Sequence, residues 1–314
     1  ALGNELFPKS KKDSIRGNNG RGEGFVSGLF FNREAGIGYA IAANSVVNLW
    51  PVSQVIEEFL TKDISPPKPI SLPIDEQKIK PLLGYYQFMN PKNERWEFYR
   101  RIFGGIELTA VSKDRLVVKK ENGQRDSLVH VGNGIFRLKD DILPAFVLAK
   151  DPKGQPIFQG YGNSFYRKVS RASVLIQKLP IYLGLMSILI YLIYSLIGIF
   201  LTLFRKMKLI DLCIPLLPII GTCCFLAAYR FMGQTDASHK ELFTSFNGTS
   251  FSIFLGMLLF AILVALSSLL LYYRWSRLNP LWLRLFLAFN NFFFCYLVAL
   301  LSINGWIGIP IWMM

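Results

Sequence analysis

At residues 179–204 the sequence reads LPIYLGLMSILIYLIYSLIGIFLTLF, a run that contains no charged side chain. A helix of about 20 residues crosses a hydrocarbon core of roughly 30 Å, so this run is long enough to span a membrane. Three further strongly apolar runs follow at 209–229, 251–273 and 285–303. An unpaired backbone amide in lipid is very costly, which leaves helices as the conformation for all four runs. The sequence therefore predicts an all-α, four-helix transmembrane region at 170–314.

The composition divides the chain into a water-facing half and a membrane half. Of the 314 residues, 52% are hydrophobic and 18% are charged, whereas about a quarter of a soluble domain is charged. Nearly all the acidic residues lie within residues 1–178. This division excludes a single soluble globule, a disordered chain and a disulfide-rich scaffold.

Cysteine and histidine limit the chemistry of the chain. The four cysteines, Cys213, Cys223, Cys224 and Cys295, all lie in apolar runs and lack a metal-binding spacing. We interpret them as buried, small hydrophobic residues. The two histidines, His130 and His239, belong to no recognisable nucleophile motif. We therefore predict no metal site, no cofactor, and no self-contained catalytic triad.

The net charge of +14 reflects membrane topology rather than nucleic-acid binding. No stripe of basic residues interleaved with aromatic residues is present, so we predict the lipid bilayer and not a nucleic acid as a partner. The loops after the first and third spans contain or adjoin the basic residues Arg205, Lys206, Lys208, Arg274, Arg277 and Arg284. Positively charged loops stay in the cytoplasm. The sequence thus predicts a multi-pass protein of the cell membrane with its soluble domains on the extracytoplasmic side.

The apolar bundle is predicted to be an anchor and not a pore. The spans show no inverted repeat and no charged residue at mid-membrane depth, which transporters and proton relays require. Asn290 and Asn291 lie inside the fourth span. We interpret both as residues that form hydrogen bonds between helices.

The rest of the soluble half contains a linker and a β domain. Residues 66–82 are rich in proline, which favours neither a helix nor a central strand, so we predict a linker there. Residues 83–169 alternate between apolar and polar residues in about eight short runs separated by turns. This pattern predicts a small antiparallel β-barrel-like domain, with an interior filled by side chains rather than by a ligand.

Residues 1–65 are predicted to form an α+β piece. RGNNGRGEGFVSGLFFN at 16–32 and GIGYAIAAN at 36–44 indicate three strands joined by glycine-containing turns. Pro51 is suited to the first turn of a helix that runs to about Leu60. The apolar residues of that helix, Val52, Val55, Ile56, Phe59 and Leu60, share one face. An antiparallel sheet with a helix packed on it follows from this pattern.

This piece resembles the end of the serine β-lactamase and penicillin-binding-protein fold, in its class C and esterase-like branch. The resemblance rests on Gly24-Phe25-Val26-Ser27, on the strand that ends at Ala42-Ala43-Asn44, and on Leu2-Gly3-Asn4. The proline-rich linker, the small β domain and the terminal spans also occur in membrane-bound members. The resemblance implies that residues 1–65 are the C-terminal fragment of a β-lactamase-like hydrolase domain, and that the chain derives from a longer protein.

The resemblance also implies a site. By position, Asn18, Asn19 and Gly20 occupy the strand motif beside the catalytic pocket, and the N–H of Arg21 is an oxyanion-hole donor. Asn18 stands where lysine or histidine is usual. The family's catalytic serine and lysine lie in a Ser-x-x-Lys motif, and its catalytic tyrosine lies in a Tyr-x-Asn motif. Ser65–Lys68 and Tyr161–Asn163 have the residue types of these motifs but not their positions in the fold, so the catalytic residues are missing from this chain.

Two functions remain open from the sequence. The first is a membrane-anchored β-lactamase-related serine hydrolase, which transfers the acyl group of a cell-wall peptide, an ester or an amide outside the membrane. Without its nucleophile-bearing part, such a chain is expected to be inactive. The second, favoured by Asn18, is a non-catalytic membrane protein that binds or senses a cell-wall component or a partner protein.

Overall fold

The computed structural model describes residues 5–6, 15–22, 24–65, 68–91, 94–160, 164–233 and 245–308. The chain divides into two compact units, Ala1–Val174 and Leu175–Met314. The first unit contains a four-stranded sheet and a closed β-barrel, and the second contains long apolar helices. Leu2–Asn4, His239 and Tyr161–Asn163, which the sequence analysis discussed, lie outside the described residues.

The first sheet is antiparallel and follows chain order. Its strands are β1 (Glu5–Leu6), β2 (Arg16–Gly22), β3 (Phe25–Asn32) and β4 (Ile37–Ala43). The turn between β2 and β3 contains Gly24 with a φ of 76°, a left-handed conformation that favours glycine. Helix α1 (Trp50–Leu60) follows the last strand, so the predicted order of three strands and a helix is present.

Helix α1 packs through its polar side rather than its apolar face. Its buried residues are Ser53 and Glu57, whereas Val52, Val55 and Phe59 are exposed. The expectation that the apolar face covers the sheet is therefore wrong. The physical reason is a hydrogen bond in which the Tyr39 hydroxyl of β4 donates to Glu57 Oε1 at 2.6 Å, which gives the buried carboxyl group a partner.

The predicted small β domain is a closed antiparallel barrel of eight strands. The strands are β5 (Gly84–Phe88), β6 (Ile106–Ser112), β7 (Arg115–Lys120), β8 (Arg125–Gly132), β9 (Ile135–Leu138), β10 (Phe146–Lys150), β11 (Pro156–Gln159) and β12 (Phe165–Lys168). Helix α3 (Glu94–Phe103) connects β5 to β6. Side chains that include Tyr86, Leu108, Leu116, Leu128 and Phe136 form a buried core, as inward-facing residues of a small barrel do.

The proline-rich segment lies against the barrel. The N–H of Leu72 donates to the carbonyl of His130 at 2.9 Å, and Arg137 Nε donates to the carbonyl of Ile70 at 3.1 Å. His130 is a strand residue of β8, as the sequence indicated. The single-turn helix α2 (Glu76–Ile79) and a 3₁₀ turn (Lys80–Leu82) also fall within the predicted linker. The described part of the segment is thus held against the barrel by hydrogen bonds and is not a free linker.

The second half contains four long apolar helices within the described residues, as predicted. They are α4 (Arg171–Leu203), α5 (Leu209–Gly233), α6 (Gly248–Arg274) and α7 (Leu281–Ile303), and a 3₁₀ turn (Trp275–Arg277) lies between the last two. Each is long and apolar enough to cross a membrane, with mean hydropathies between 1.9 and 2.7 over an 18-residue window. These helices fit a multi-pass membrane protein in a lipid bilayer.

Polar groups link three of these helices. Pro218 lies inside α5 and has no N–H for the carbonyl of Ile214 one turn earlier. Ser267 Oγ of α6 donates to that carbonyl at 2.6 Å and lies 3.2 Å from Asn291 Oδ1 of α7. Asn291 Nδ2 donates to Ser268 Oγ at 2.9 Å. Asn291 therefore forms the interhelical hydrogen bonds that the sequence indicated, and Ser267 compensates for the proline. The same prediction is wrong for Asn290, whose Nδ2 donates to the carbonyl of Phe286 in its own helix at 2.8 Å.

Candidate functional site

The residues that the resemblance singled out lie on β2 and are divided between the two faces of the sheet. Directly opposed residues of antiparallel strands share a face, and successive residues alternate. Asn18 pairs with Leu29, and Asn19 pairs with Gly28. On β3, Val26, Gly28 and Phe30 are buried and share one face, whereas Leu29 is exposed on the other. Asn19 and Arg21 therefore share the face that α1 covers, and Asn18 and Gly20 belong to the opposite face.

A cleft with a volume of about 470 Å³ lies between this sheet and the start of α1. Asn19, Gly20 and Arg21 of β2 line one side of it, and Trp50 and Ser53 of α1 line another. The structure thus brings three of the four candidate residues into one cleft. Asn18 is not among its lining residues.

The cleft needs a glycine at position 28. A Cβ atom at Gly28 would lie 2.4 Å from the ring of Phe30 and 3.2 Å from Asn19 Oδ1. The first distance is far shorter than a van der Waals contact, so any larger residue would displace the Phe30 ring, which also lines the cleft. The glycine-rich character of β2 and β3 therefore has a local steric basis, without reference to any family.

Among the described residues, only part of the outer edge of β2 has a strand neighbour. Strand β1 pairs only with Arg16 and Gly17 among the described residues. Residues 18–22 therefore have no described strand neighbour on that side, and alternate backbone N–H and C=O groups point outward from such an edge. An extended peptide can add to an open strand edge through backbone hydrogen bonds.

The charge of the cleft is positive. Of the described residues that line it, Arg21 is the one with a charged side chain. The first turn of α1 contains no acidic residue, and a helix N-terminus carries a partial positive charge. Both features favour a ligand group with negative charge. None of the described lining residues is an aspartate or a glutamate.

A polar network behind the cleft fixes α1. Tyr39 donates to Glu57, and the Ser53 hydroxyl is hydrogen-bonded to Tyr39. Burial raises the pKa of Glu57 above its ordinary value, an effect that the Tyr39 hydrogen bond partly offsets. Burial, together with the neighbouring Glu57, also raises the pKa of Tyr39, so this phenol stays protonated and remains the donor. The network ties β4 to the helix that lines the cleft.

The sequence analysis did not identify Tyr39, Ser53 or Glu57. A signal was present, because Ser53 and Glu57 are four residues apart and therefore share one side of a helix. The apolar residues of the same helix have a clearer periodicity, which favoured the apolar face over the side that carries Ser53 and Glu57. Within the described ranges, no group of three or more histidine, cysteine, aspartate or glutamate side chains is arranged to hold a metal ion.

Comparisons with known proteins give little similarity. No family model matches the chain, and no curated protein matches it. Two solved structures that match have the titles "Crystal structure of SurE with D-Leu" and "Crystal structure of SurE". Both are 18% identical with a TM-score of 0.29, and they cover 52% and 53% of this chain. The chain spans only 37% and 36% of the length of those two chains.

These comparisons contradict the assignment to the serine β-lactamase and penicillin-binding-protein family. The matching structures are titled SurE and not β-lactamase, and the barrel and the apolar helices offer no positive support for that family. We correct the assignment accordingly. Motifs as short as Gly24–Ser27 follow from hairpin geometry, so they do not identify a family. Asn19, Gly20 and Arg21 remain candidate residues on geometry alone, whereas Asn18 does not, because it does not line the cleft.

Proposed function

We propose that this protein is a membrane-anchored binding protein whose cleft takes an anionic, peptide-like ligand on the outer side of the cell membrane. The observation that carries the proposal is the cleft itself, in which Arg21 is the charged residue among the described lining residues. The Arg21 guanidinium can bind the carboxylate group of such a ligand. A cell-wall peptide with a free carboxylate, or a carboxylate-bearing tail of a partner protein, has this chemistry.

The outward position of the cleft is part of the proposal. It rests on the basic residues of the loops, since Arg205 and Lys206 follow the first span and Arg277 follows the third. Loops of this kind are retained in the cytoplasm. Because the first span crosses the membrane once, the residues before it then lie on the opposite, extracytoplasmic side.

The binding proposal is tested with a defined peptide pair. The full chain in detergent is titrated with N-acetyl-trialanine as the free acid and as its C-terminal amide, followed by calorimetry. A charge-assisted hydrogen bond contributes about 1.5–3 kcal/mol, so the acid should bind about 10-fold to 150-fold more tightly. Arg21→Gln should remove this preference, and Arg21→Lys should keep part of it. Arg33→Gln, in the turn between β3 and β4, is the matched control.

Three results would contradict the binding proposal. One is equal affinity of the acid and the amide for the unmodified chain. Another is a preference for the acid that survives in Arg21→Gln, which would place the anion site elsewhere on the protein. Loss of the preference in Arg33→Gln as well would indicate a general charge effect and would also contradict a local site.

A second candidate function is acyl transfer on a peptide, ester or amide. The observation that favours it is the position of the backbone of Gly20 and Arg21 along the cleft, where an N–H group could stabilise an oxyanion. None of the described residues that line the cleft is a lysine, a histidine or a cysteine. Ser27 and Ser53 do line the cleft, so a hydrolase that used one of them would need its general base from residues outside the described lining.

A fluorophosphonate probe separates the two functions. Applied to native membranes, it labels a serine that is activated for acyl transfer. A labelled serine mapped by mass spectrometry would favour the hydrolase, whereas retained peptide binding without labelling would favour the binding protein.

A further inference from the structure

The connection between α4 and α5 and the connection between α6 and α7 lie at the same end of the helical unit. Arg274, the last residue of α6, donates from Nε and Nη2 to the two carboxylate oxygens of Asp211, in the first turn of α5, at 2.8 Å and 3.1 Å. The basic residues of these connections and their flanks are Arg205, Lys206, Lys208, Arg274, Arg277 and Arg284. We call this set the basic end. Asp211 is the one acidic residue within 203–212 and 271–286.

Two residues of the basic end have structural partners within the helical unit. Arg274 is buried, and its charge is balanced by Asp211. Arg284 donates to the carbonyl of Leu278 and to Asn279 Oδ1, so it holds the turn before α7. The other members are exposed, and we call them the four exposed cations: Arg205, Lys206, Lys208 and Arg277. Since the single carboxylate is bound to Arg274, neither connection contains a further acidic side chain to balance these four charges.

Exposed apolar and aromatic side chains surround the basic end. Leu203 is 75% exposed at the end of α4, and Leu209 is also exposed at the start of α5. Tyr272 is 84% exposed near the end of α6, and Trp282 is exposed at the start of α7. Tyrosine and tryptophan favour the boundary between hydrocarbon and headgroups, and apolar side chains on a spanning helix are covered by lipid. The four exposed cations therefore lie at the level of the phospholipid phosphates.

The ion pair between Asp211 and Arg274 brings cations of the two connections together. Lys208 directly precedes α5, and its carbonyl accepts the N–H of Asp211 at 3.0 Å. Arg277 follows Arg274 by three residues, which is about one helical turn. Like charges that are held close together repel each other, and the repulsion is larger at a membrane surface than in bulk water. A phosphate group between the connections would remove this repulsion and accept charge-assisted hydrogen bonds.

We propose that the basic end binds the headgroup phosphate of an anionic phospholipid through its four exposed cations. Basic clusters beside spanning helices recognise such headgroups electrostatically. Inorganic phosphate has the same charge chemistry, but it lacks the acyl chains that exposed side chains such as Leu203 and Leu209 would contact. The proposal rests on the four helices crossing a bilayer and is independent of the cleft and its ligand.

The test measures lipid binding to the full chain in detergent by native mass spectrometry. The protein is titrated with dioleoyl phosphatidylglycerol and with dioleoyl phosphatidylcholine, which share their acyl chains and differ in net charge. Each basic residue near an anionic headgroup contributes a factor of about five in affinity. The double variant Lys206→Gln/Lys208→Gln should therefore lower the preference for phosphatidylglycerol by about 5-fold to 25-fold. Lys150→Gln/Lys153→Gln, at two exposed lysines of the barrel, is the matched control.

The unmodified chain, the barrel control and the charge-preserving variant Lys206→Arg/Lys208→Arg should all prefer phosphatidylglycerol, and an excess of inorganic phosphate should not displace it. The proposal is overturned by equal affinity for the two lipids, by a preference that survives in Lys206→Gln/Lys208→Gln, or by an equal loss in the barrel control. Displacement of the lipid by inorganic phosphate would indicate a site for free anions and would also overturn it. Each variant is first compared with the unmodified protein by gel filtration in detergent, so that a loss of binding is not caused by misfolding.

Discussion

Replacing Tyr39 with phenylalanine should loosen helix α1 without unfolding the sheet. The substitution removes the hydroxyl that donates to Glu57 Oε1 at 2.6 Å, and it keeps the ring that stacks on Phe30 at 4.9 Å. A buried acceptor that loses its partner costs about 1–3 kcal/mol. Since 1.4 kcal/mol corresponds to a factor of ten, opening of α1 should become about 5-fold to 150-fold more frequent.

Hydrogen exchange of the full chain in detergent measures this opening. Amides of residues 50–60 should exchange faster in Tyr39→Phe by the factor given above, whereas barrel amides should not change. Tyr99→Phe, at an exposed tyrosine of α3, is the matched control. If α1 exchange in Tyr39→Phe stays within about twofold of this control, the hydrogen bond does not hold the helix and the reasoning is refuted.

The same experiment has a predictable pH dependence. Burial raises the pKa of Glu57 in the folded protein above its ordinary value of 4.5. Its contribution to stability is therefore fully present below the unfolded pKa and is lost as the pH rises through the folded pKa. After correction for intrinsic exchange, the protection of the α1 amides should fall as the pH rises from the unfolded pKa of Glu57 through its folded pKa. Glu57→Gln should abolish this fall.

Three further predictions concern the barrel and the spans. Leu128→Ala should lower the free energy of unfolding of the barrel by about 2–5 kcal/mol, since Leu128 is fully buried; a loss below about 0.5 kcal/mol in denaturant titrations would contradict the packed core. Ser267→Ala should destabilise the helical unit by about 0.6–1.7 kcal/mol, because the carbonyl of Ile214 loses its donor; unfolding in mixed detergent micelles measures this, and an unchanged midpoint would contradict it. Asp211→Asn should lower the midpoint of thermal unfolding more than Lys208→Gln, because Asp211 receives two hydrogen bonds from the buried Arg274; equal shifts would show that the ion pair contributes nothing.

The parts of the fold that depend on local pattern could be predicted from the sequence. The span at 179–204 is evident from its length without charge, although α4 starts earlier, at Arg171. Alternation along segments such as Arg125–Gly132 also indicated the barrel strands. Helix α1 was harder, because its orientation depends on the pairing of Tyr39 with Glu57, which are far apart in sequence. Periodicity alone favours the apolar face of such a helix.

The candidate site depended even more on tertiary structure. Asn19 and Arg21 could be singled out from the glycine-rich pattern, but their separation from Asn18 follows from strand alternation. The cleft exists because α1 begins beside β2. This contact joins residues that are distant in sequence, so a local sequence pattern cannot predict it. The family assignment was wrong because short glycine motifs arise wherever a hairpin requires tight turns and close strands.

The central claim is that four spans anchor a ligand-binding unit on the outer side of the membrane, and cysteine labelling tests it most directly. In a background in which Cys213, Cys223, Cys224 and Cys295 are replaced with alanine, single cysteines are placed at Asn122, in a barrel turn, and at Lys206, between α4 and α5. With a membrane-impermeant maleimide on intact cells, position 122 should react at once and position 206 only after permeabilisation. The reverse pattern, or release of the protein from membranes at alkaline pH, would contradict the account.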